Sequence, residues 1–346
     1  MAEKTAIMAT VADTRCSHDF IALMHGAGMN GVRINSAHAS PAAIADMVRT
    51  IRGVDPSIAI LMDTKGAEIR TTSNLGDQEY ILAPGDTVEI AENAAQPTTA
   101  ERICISACGI CGAGGTDTHI LIDDGAIELV ITENTTPIRA TVVKGGTLGS
   151  RKTVTFRGLG TPDALPAVTE RDRAAIHAGI EAGIDIIAHS FVRSDDDVNA
   201  VRSLIAGTGI RLYSKIECRR AVENFDDILR ASDGLLCARG DLGAEVGIER
   251  VPALENYIIS RCRQAGKPVI VATQFMDSMM NCETPTRAEA GDIAWATMQG
   301  ADTLLLCGET ARGSHPVECV AWMKQIISTT EAYTTGGIPA ILTESI

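Results

Sequence analysis

At 346 residues and 36.4 kDa the chain exceeds ordinary single-domain length, which leaves two domains or one large α/β barrel carrying an insertion. With 45% hydrophobic and 21% charged residues it can bury a sizeable core, so wholesale disorder is excluded. Thirty Lys and Arg against 44 Asp and Glu leave a net charge of −14, which excludes the broad basic face that nucleic acid or an anionic membrane requires, but not a locally basic pocket.

Short β-branched runs alternate with helical patterns along most of the chain. TAIMATV (5–11) is followed by a helix over 17–28, NGVRIN (30–35) by one over 40–53, and SIAILMD (57–63) closes the first third. From about 71 to 156 the rhythm changes to period two (EYILAPGDTVEI, HILIDDGAIELVIT, IRATVVK), with turn signals at Pro84-Gly85 and Gly145-Gly146. This reads as a small all-β domain inserted after the third strand. The βα rhythm then resumes. A helix over 169–183 precedes IDIIAHSF (184–191), and one over 195–207 precedes IRLYSKIE (210–217). A helix over 219–232 leads to DGLLCARG (233–240), one over 251–266 to KPVIVATQ (267–274), and one over 287–300 to ADTLLLCGE (301–309); a last helix ends near Tyr333. Glycines 28, 183, 207, 266 and 300 mark helix stops. Eight strand–helix pairs predict a TIM (β/α)8 barrel over 1–70 and 157–346, with 71–156 as an inserted β-barrel-like lid at the catalytic rim.

No apolar run reaches membrane-spanning length and the first residues lack signal-peptide features, so a cytoplasmic protein without membrane contacts is expected. Ten cysteines are scattered, and Cys237 and Cys307 sit in apolar stretches as small buried hydrophobes rather than in a disulfide framework. Cys104, Cys108 and Cys111 have a C-x3-C-x2-C spacing suited to a metal or cluster, although they fall within the β-insertion. Gly112–Gly115 reads as a turn, and Met276, Met279 and Met280 as packing residues.

In such a barrel the reacting groups come from the carboxyl ends of strands. Read in order, these ends carry Arg33 and Asn35, then Asp63-Thr64-Lys65, Ser190, Lys215 with Glu217, Arg239-Gly240-Asp241, Thr273 and Glu309. Charges beside apolar strands are costly unless paired or metal-bound, so the ends converge either on one polar site or on structural ion pairs at the barrel mouth. Glu217 and Asp241 are oxygen donors suited to Mg²⁺ or Mn²⁺, and Lys215 suits a developing negative charge on a phosphoryl group or enolate. His189, next to Ser190 on a strand, is expected to face away from the site.

The segments GMNGVRINSAH (28–38), LMDTKGAEIRT (61–71), GGTLGSRK (145–152), SKIE (214–217), ASDGLLCARGDLGAE (231–245), TPTRAEAGDIA (284–294) and GADTLLLCGETARG (300–313) carry a resemblance to the pyruvate kinase family that covers nearly the whole chain. The resemblance implies phosphoryl transfer from phosphoenolpyruvate to ADP, giving pyruvate and ATP, as in glycolysis. It implies that Arg33 holds the substrate phosphate, that Lys215 stabilises the phosphoryl group in flight, that Ser190 binds substrate, and that Glu217 and Asp241 bind Mg²⁺. The Gly240 and Asp241 amides and Thr273 would bind the carboxylate, with Thr273 near the carbon to be protonated. Asn35, Asp63 and Thr64 match ligands of K⁺, with Glu68 where potassium dependence goes with a glutamate. His38, Arg70, Lys152 and Arg312 match nucleotide contacts, with arginine at 312 where a lysine is usual.

Several positions depart from the family pattern. Ala37 replaces a serine of the potassium shell, and Cys307 replaces the serine of a proposed proton relay. Thr10–Arg15 replaces a first-strand loop near the nucleotide and adds Asp13, which would repel phosphates unless Arg15 pairs with it. The resemblance stops short of the family's C-terminal domain, so allosteric control through that domain is not expected. The helix at 252–265 and the last helix, with Trp322 and Met323, are candidate homodimer surfaces. Because the departures gather on the nucleotide and proton-transfer side, other enolate chemistry on a phosphoenol or 2-oxo acid (decarboxylation, C–C cleavage or phosphate hydrolysis) and non-catalytic binding stand as the alternatives.

Overall fold

The structure, a computed structural model, describes residues 5–106, 109, 115–123, 125–157 and 165–336. The sequence motif at Cys108 and Cys111, with most of the glycine-rich turn after it, lies outside the described residues.

Strands β1 (Ala6–Thr10), β2 (Gly31–Asn35) and β3 (Ala59–Asp63) open a barrel whose first two helices are α1 (His18–Ala27) and α2 (Pro41–Val54). Eight short strands come next: β4 (Tyr80–Leu82), β5 (Thr87–Ala91), β6 (Arg102–Cys104), β7 (His119–Ile122), β8 (Ile127–Glu133), β9 (Ile138–Lys144), β10 (Gly146–Leu148) and β11 (Val154–Phe156). The barrel resumes with α3 (Glu170–Ala182), β12 (Ile186–His189), α4 (Asp195–Leu204), β13 (Arg211–Ile216), α5 (Arg219–Glu223), α6 (Phe225–Ala231) and β14 (Gly234–Ala238). It ends with α7 (Arg239–Val246), α8 (Val251–Ala265), β15 (Val269–Ala272), α9 (Arg287–Gln299), β16 (Thr303–Leu306), α10 (Gly308–Ala311) and α11 (Pro316–Gly336).

The closed order β1-β16-β15-β14-β13-β12-β3-β2, parallel throughout, is the TIM barrel the βα rhythm predicts. Side-chain alternation sorts each strand into two faces. Met8, Leu61, Ile186, Tyr213, Leu236 and Ile270 fill the bore, while their neighbours Ile7, Ile60, Ile187, Leu212, Leu235 and Val271 pack outward under the helices. Each buried Leu or Ile contributes about 1.5–3 kcal/mol. Thr169 and Thr286 start α3 and α9 with reciprocal capping boxes, and Gly183, Gly266 and Gly300 end helices in the left-handed region, as the sequence signals predict.

The insertion has its own core of Ile69, Val88, Ile103, Leu129, Val142 and Phe156, among others. Its strands form a six-stranded sheet in the order β11-β7-β8-β9-β5-β6 and a β10–β4 pair. Its two crossings to the barrel pair with one another, with Thr71 N donating to Lys152 O (2.8 Å) and Val154 N to Ile69 O (2.9 Å).

Three local expectations are corrected and one is met. The helix over 219–232 breaks at Asn224, whose Nδ2 donates to Arg193 O (2.8 Å). The strand expected to reach Gly240 stops at Ala238, because Arg239 opens the unforeseen helix α7. Met276 and Met279 are fully buried, as expected of packing residues, and with Met280 they lie around a single 3₁₀ turn. Met323 is fully buried in the barrel core and is therefore no surface for a partner, whereas Tyr257 of α8 is 42% exposed. No helix among the described residues is long and apolar enough to cross a membrane.

Candidate active site

Alternation builds the site. On β13 the bore-facing residue Tyr213 is followed at the same parity by Lys215 and then Glu217; on β3 Leu61 is followed by Asp63; on β12 Ala188 is followed by Ser190; on β16 Leu305 is followed by Cys307. The apolar layer therefore gives way, two residues further along each strand, to a polar layer at the carboxyl ends.

The groups are tied together. Arg33 donates through Nε (2.9 Å) and Nη2 to Asp63 Oδ2, and through Nη1 to Thr10 Oγ1 (3.1 Å). Lys215 Nζ lies 3.2 Å from the same Asp63 oxygen, 2.6 Å from Glu217 Oε1 and 3.0 Å from Ser190 Oγ. Ser190 Oγ in turn donates to Thr64 O (2.7 Å), and Phe191 N donates to Glu217 Oε2 (2.7 Å). Asp63, Lys215 and Glu217 are buried, and Arg33 is half-buried where it reaches the cavity. Burial alone would raise the Asp63 carboxyl, but Arg33 and Lys215 outweigh it and hold Asp63 below the usual carboxylate range. For Glu217 burial wins over Lys215 and the carboxyl is pushed up. Both cations are raised against their own burial by these carboxylates, so Lys215 is charged at any physiological pH.

On the opposite wall, Gly240 N donates to Thr273 Oγ1 (2.9 Å). Thr273 and Gln274 have φ of 77° and 56°, a conformation rarely adopted by a β-branched residue and costing roughly 1–3 kcal/mol. Glu309 does not face the site. Its carboxylate accepts from Met276 N (3.2 Å) and Cys307 N (2.8 Å) and braces two loops. Gly66, at φ 67°, packs so tightly that a Cβ there would collide with the carbonyl oxygen of Ser190. Gly66→Ala is accordingly expected to lower stability by about 1–3 kcal/mol and to displace Ser190 from Lys215, read as a lower Tm together with lower turnover.

His189 faces outward, as expected, with Nδ1 3.2 Å from Thr64 Oγ1. Burial lowers its pKa to about 4. As pH falls through 6.5 the unfolded chain takes up this proton before the folded one, so stability is full above that value. It declines by on the order of 3 kcal/mol between pH 6.5 and 4. His189→Leu should flatten this part of a Tm-against-pH curve; an unchanged slope would assign it to other groups.

A cavity of about 630 Å³ between barrel and insertion is lined by Arg33, His38, Arg70, Lys152, Arg312 and Cys307 among others. All four candidate nucleotide residues thus meet at one opening. They are partly engaged: Arg70 Nη2 lies 2.6 Å from Glu68 Oε1, and Lys152 Nζ lies 2.8 Å from Asp123 Oδ2. Sequence reasoning missed Asp123, since only the fold brings it to Lys152. Burial, with Arg70 and other cations against Glu68, lowers the His38 pKa. Arg15 does not pair with Asp13; it donates to the carbonyls of Gly313 (2.7 Å) and Arg312 (3.0 Å) and pins the first loop to α10. Cys307 Sγ stands 4.0 Å from Arg33 Nη1, its thiol pushed up chiefly by burial.

Asp63 Oδ1 is buried without a hydrogen bond, an oxygen left over for a cation. Asn35 Oδ1 accepts from Ala37 N (3.0 Å), so that group is already used locally. Among the described residues no three His, Cys, Asp or Glu side chains converge as a metal cage. Two carboxylates with substrate oxygens completing the shell suit Mg²⁺ without one, and Glu217 with Asp241 fits that donor set.

Two cations sharing carboxylates at the carboxyl end of a closed parallel barrel mark that end as the candidate site, and the fold is that of a TIM (β/α)8 barrel. The family model for the pyruvate kinase barrel domain matches residues 2–320. The chain belongs to the pyruvate kinase family. It is 40% identical over 341 residues to the pyruvate kinase of Geobacillus stearothermophilus, covering 96% of this chain and 57% of that protein. Identity is 38% over 333 residues to the Dictyostelium discoideum enzyme (93% of this chain, 65% of that one) and 38% over 348 residues to human pyruvate kinase PKLR (96% and 60%). The chain therefore spans less than two thirds of the length of these relatives.

Proposed function

We propose that the chain transfers the phosphoryl group of phosphoenolpyruvate to ADP, yielding pyruvate and ATP. The observation that carries this reading is that Arg33, which lines the cavity where His38, Arg70, Lys152 and Arg312 gather, shares one carboxylate, Asp63, with Lys215. Arg33 would hold the phosphate, and Lys215 would stabilise charge on the phosphoryl group in flight. The Gly240 and Asp241 amides and Thr273 would orient the carboxylate. The enolate left by departure of the phosphoryl group is then protonated at carbon on the Thr273 side.

Glu217 and Asp241 would hold a divalent ion, which supplies charge neutralisation to the substrate oxygens when bound. Asp63, Asn35 and Thr64 would hold a monovalent cation in a shell that lacks the hydroxyl replaced by Ala37. Residues 71–156 would act as a lid that brings Lys152 over the nucleotide. A homodimer would use α8, where Tyr257 is exposed. The supporting experiment is incubation with phosphoenolpyruvate, ADP, Mg²⁺ and K⁺, with ATP and pyruvate measured. No product, but Mg²⁺-dependent oxalate binding, would favour the second reading, other enolate chemistry at the same site. That reading draws support from Cys307 in place of a hydroxyl and from the engagement of Arg70 and Lys152 by Glu68 and Asp123.

A further inference from the structure

Thr273 adopts a backbone conformation it would not choose, and one side chain grips it there. Arg239 follows β14 directly and is buried. Its Nε donates to the Thr273 carbonyl (3.1 Å), and its Nη2 donates to the same oxygen. Nη1 meets Asp292 (2.8 Å) and Glu255 (3.3 Å), and the guanidinium plane lies 4.0 Å above the centre of the Phe275 ring. With its carbonyl drawn to this side, Thr273 presents Oγ1 to the amide of Gly240, the residue next to Arg239 in the chain.

We propose that Arg239 is a positioning residue: by fixing the left-handed backbone at Thr273 it sets the place of the Thr273 hydroxyl and the Gly240 amide relative to the substrate. The inference rests on the pyruvate kinase reading for what those two groups touch. Guanidinium is required by geometry, since two bonds to a carbonyl, two ion pairs and a stacked face need a planar fork of five donors that lysine lacks. The signal was legible only in part: the sequence marks Arg239 as a charge after an apolar strand, but not that its side chain turns toward Asp292 and Phe275.

The test compares Arg239→Lys with Phe275→Leu, which removes the stacked ring and leaves both ion pairs. Expected for Arg239→Lys is a fall in kcat of about 100-fold, larger than any change in KM for phosphoenolpyruvate, with a parallel fall in exchange of pyruvate methyl hydrogens for solvent deuterium. Phe275→Leu should show the same pattern more weakly, and it gives the reading should Arg239→Lys fail to fold. A folded variant with native kcat and exchange overturns the inference, as does a lower Tm as the sole change. Crystal structures of the variants read the cause directly: Thr273 φ leaves the left-handed region if Arg239 holds it there, and keeps its native value if not. Should the unmutated protein show no transfer from phosphoenolpyruvate to ADP, the proposed function fails while this dihedral still decides the inference.

Discussion

Lys215→Met is expected to lower ATP formation by about 10²–10³-fold while the protein still folds. The methionine approximates the volume of the lysine stem, and Asp63 keeps its other partner, Arg33. Glu217 keeps the amide of Phe191 but loses its cation. Burial already pushes that carboxyl up, so it should take up a proton rather than remain as an unpaired buried charge. The loss should accordingly be catalytic first and structural second. A coupled assay for pyruvate beside a thermal melt checks both, and near-native turnover would remove Lys215 from the chemistry.

Asp63→Ala inverts that pattern. Its buried carboxylate is the counter-ion of two cations at once, and removing it leaves Arg33 without its carboxylate partner and Lys215 with Glu217 alone. Breaking a buried pair by deleting one partner costs about 3–5 kcal/mol, and denaturant unfolding should show a loss in that range. The pH dependence has a defined sign. Because the folded carboxyl is held below its ordinary value, its contribution is complete above the unfolded pKa near 3.9 and is lost as pH falls through the folded value. Acidification should therefore weaken the unmutated protein through this group, and Asp63→Asn, which cannot titrate, should lack that component of the decline.

Much of this arrangement was legible beforehand because a strand's side chains alternate. Once Tyr213 and Leu61 are recognised as bore-facing, Lys215, Glu217 and Asp63 must face the same way, and the period-two stretch between β3 and α3 marks the insertion. What stayed hidden was the partnership between distant loops. Lys152 with Asp123, Arg15 with the carbonyls before α11, and Arg239 with Asp292 depend on where connections land after the barrel closes, and no local periodicity encodes that. The helix α7 was hidden for a different reason: Gly240 and Gly243 lower its intrinsic propensity, and tertiary packing supplies what propensity does not.

The chain leaves the barrel and returns to it side by side, since Ile69–Thr71 and Lys152–Val154 pair as an antiparallel ribbon. Such adjacency makes the insertion a cassette. A short turn joining the two ends would close the barrel without stretching any strand, and a foreign β-unit with neighbouring termini would graft at the same seam. Excision would spare Arg33, Asp63 and Lys215 but remove the ground on which Lys152 stands. Arg33 and Lys215 thus stand in one stretch of the polypeptide and Lys152 in another that is separable from it, while His38, Arg70 and Arg312 stay with the barrel.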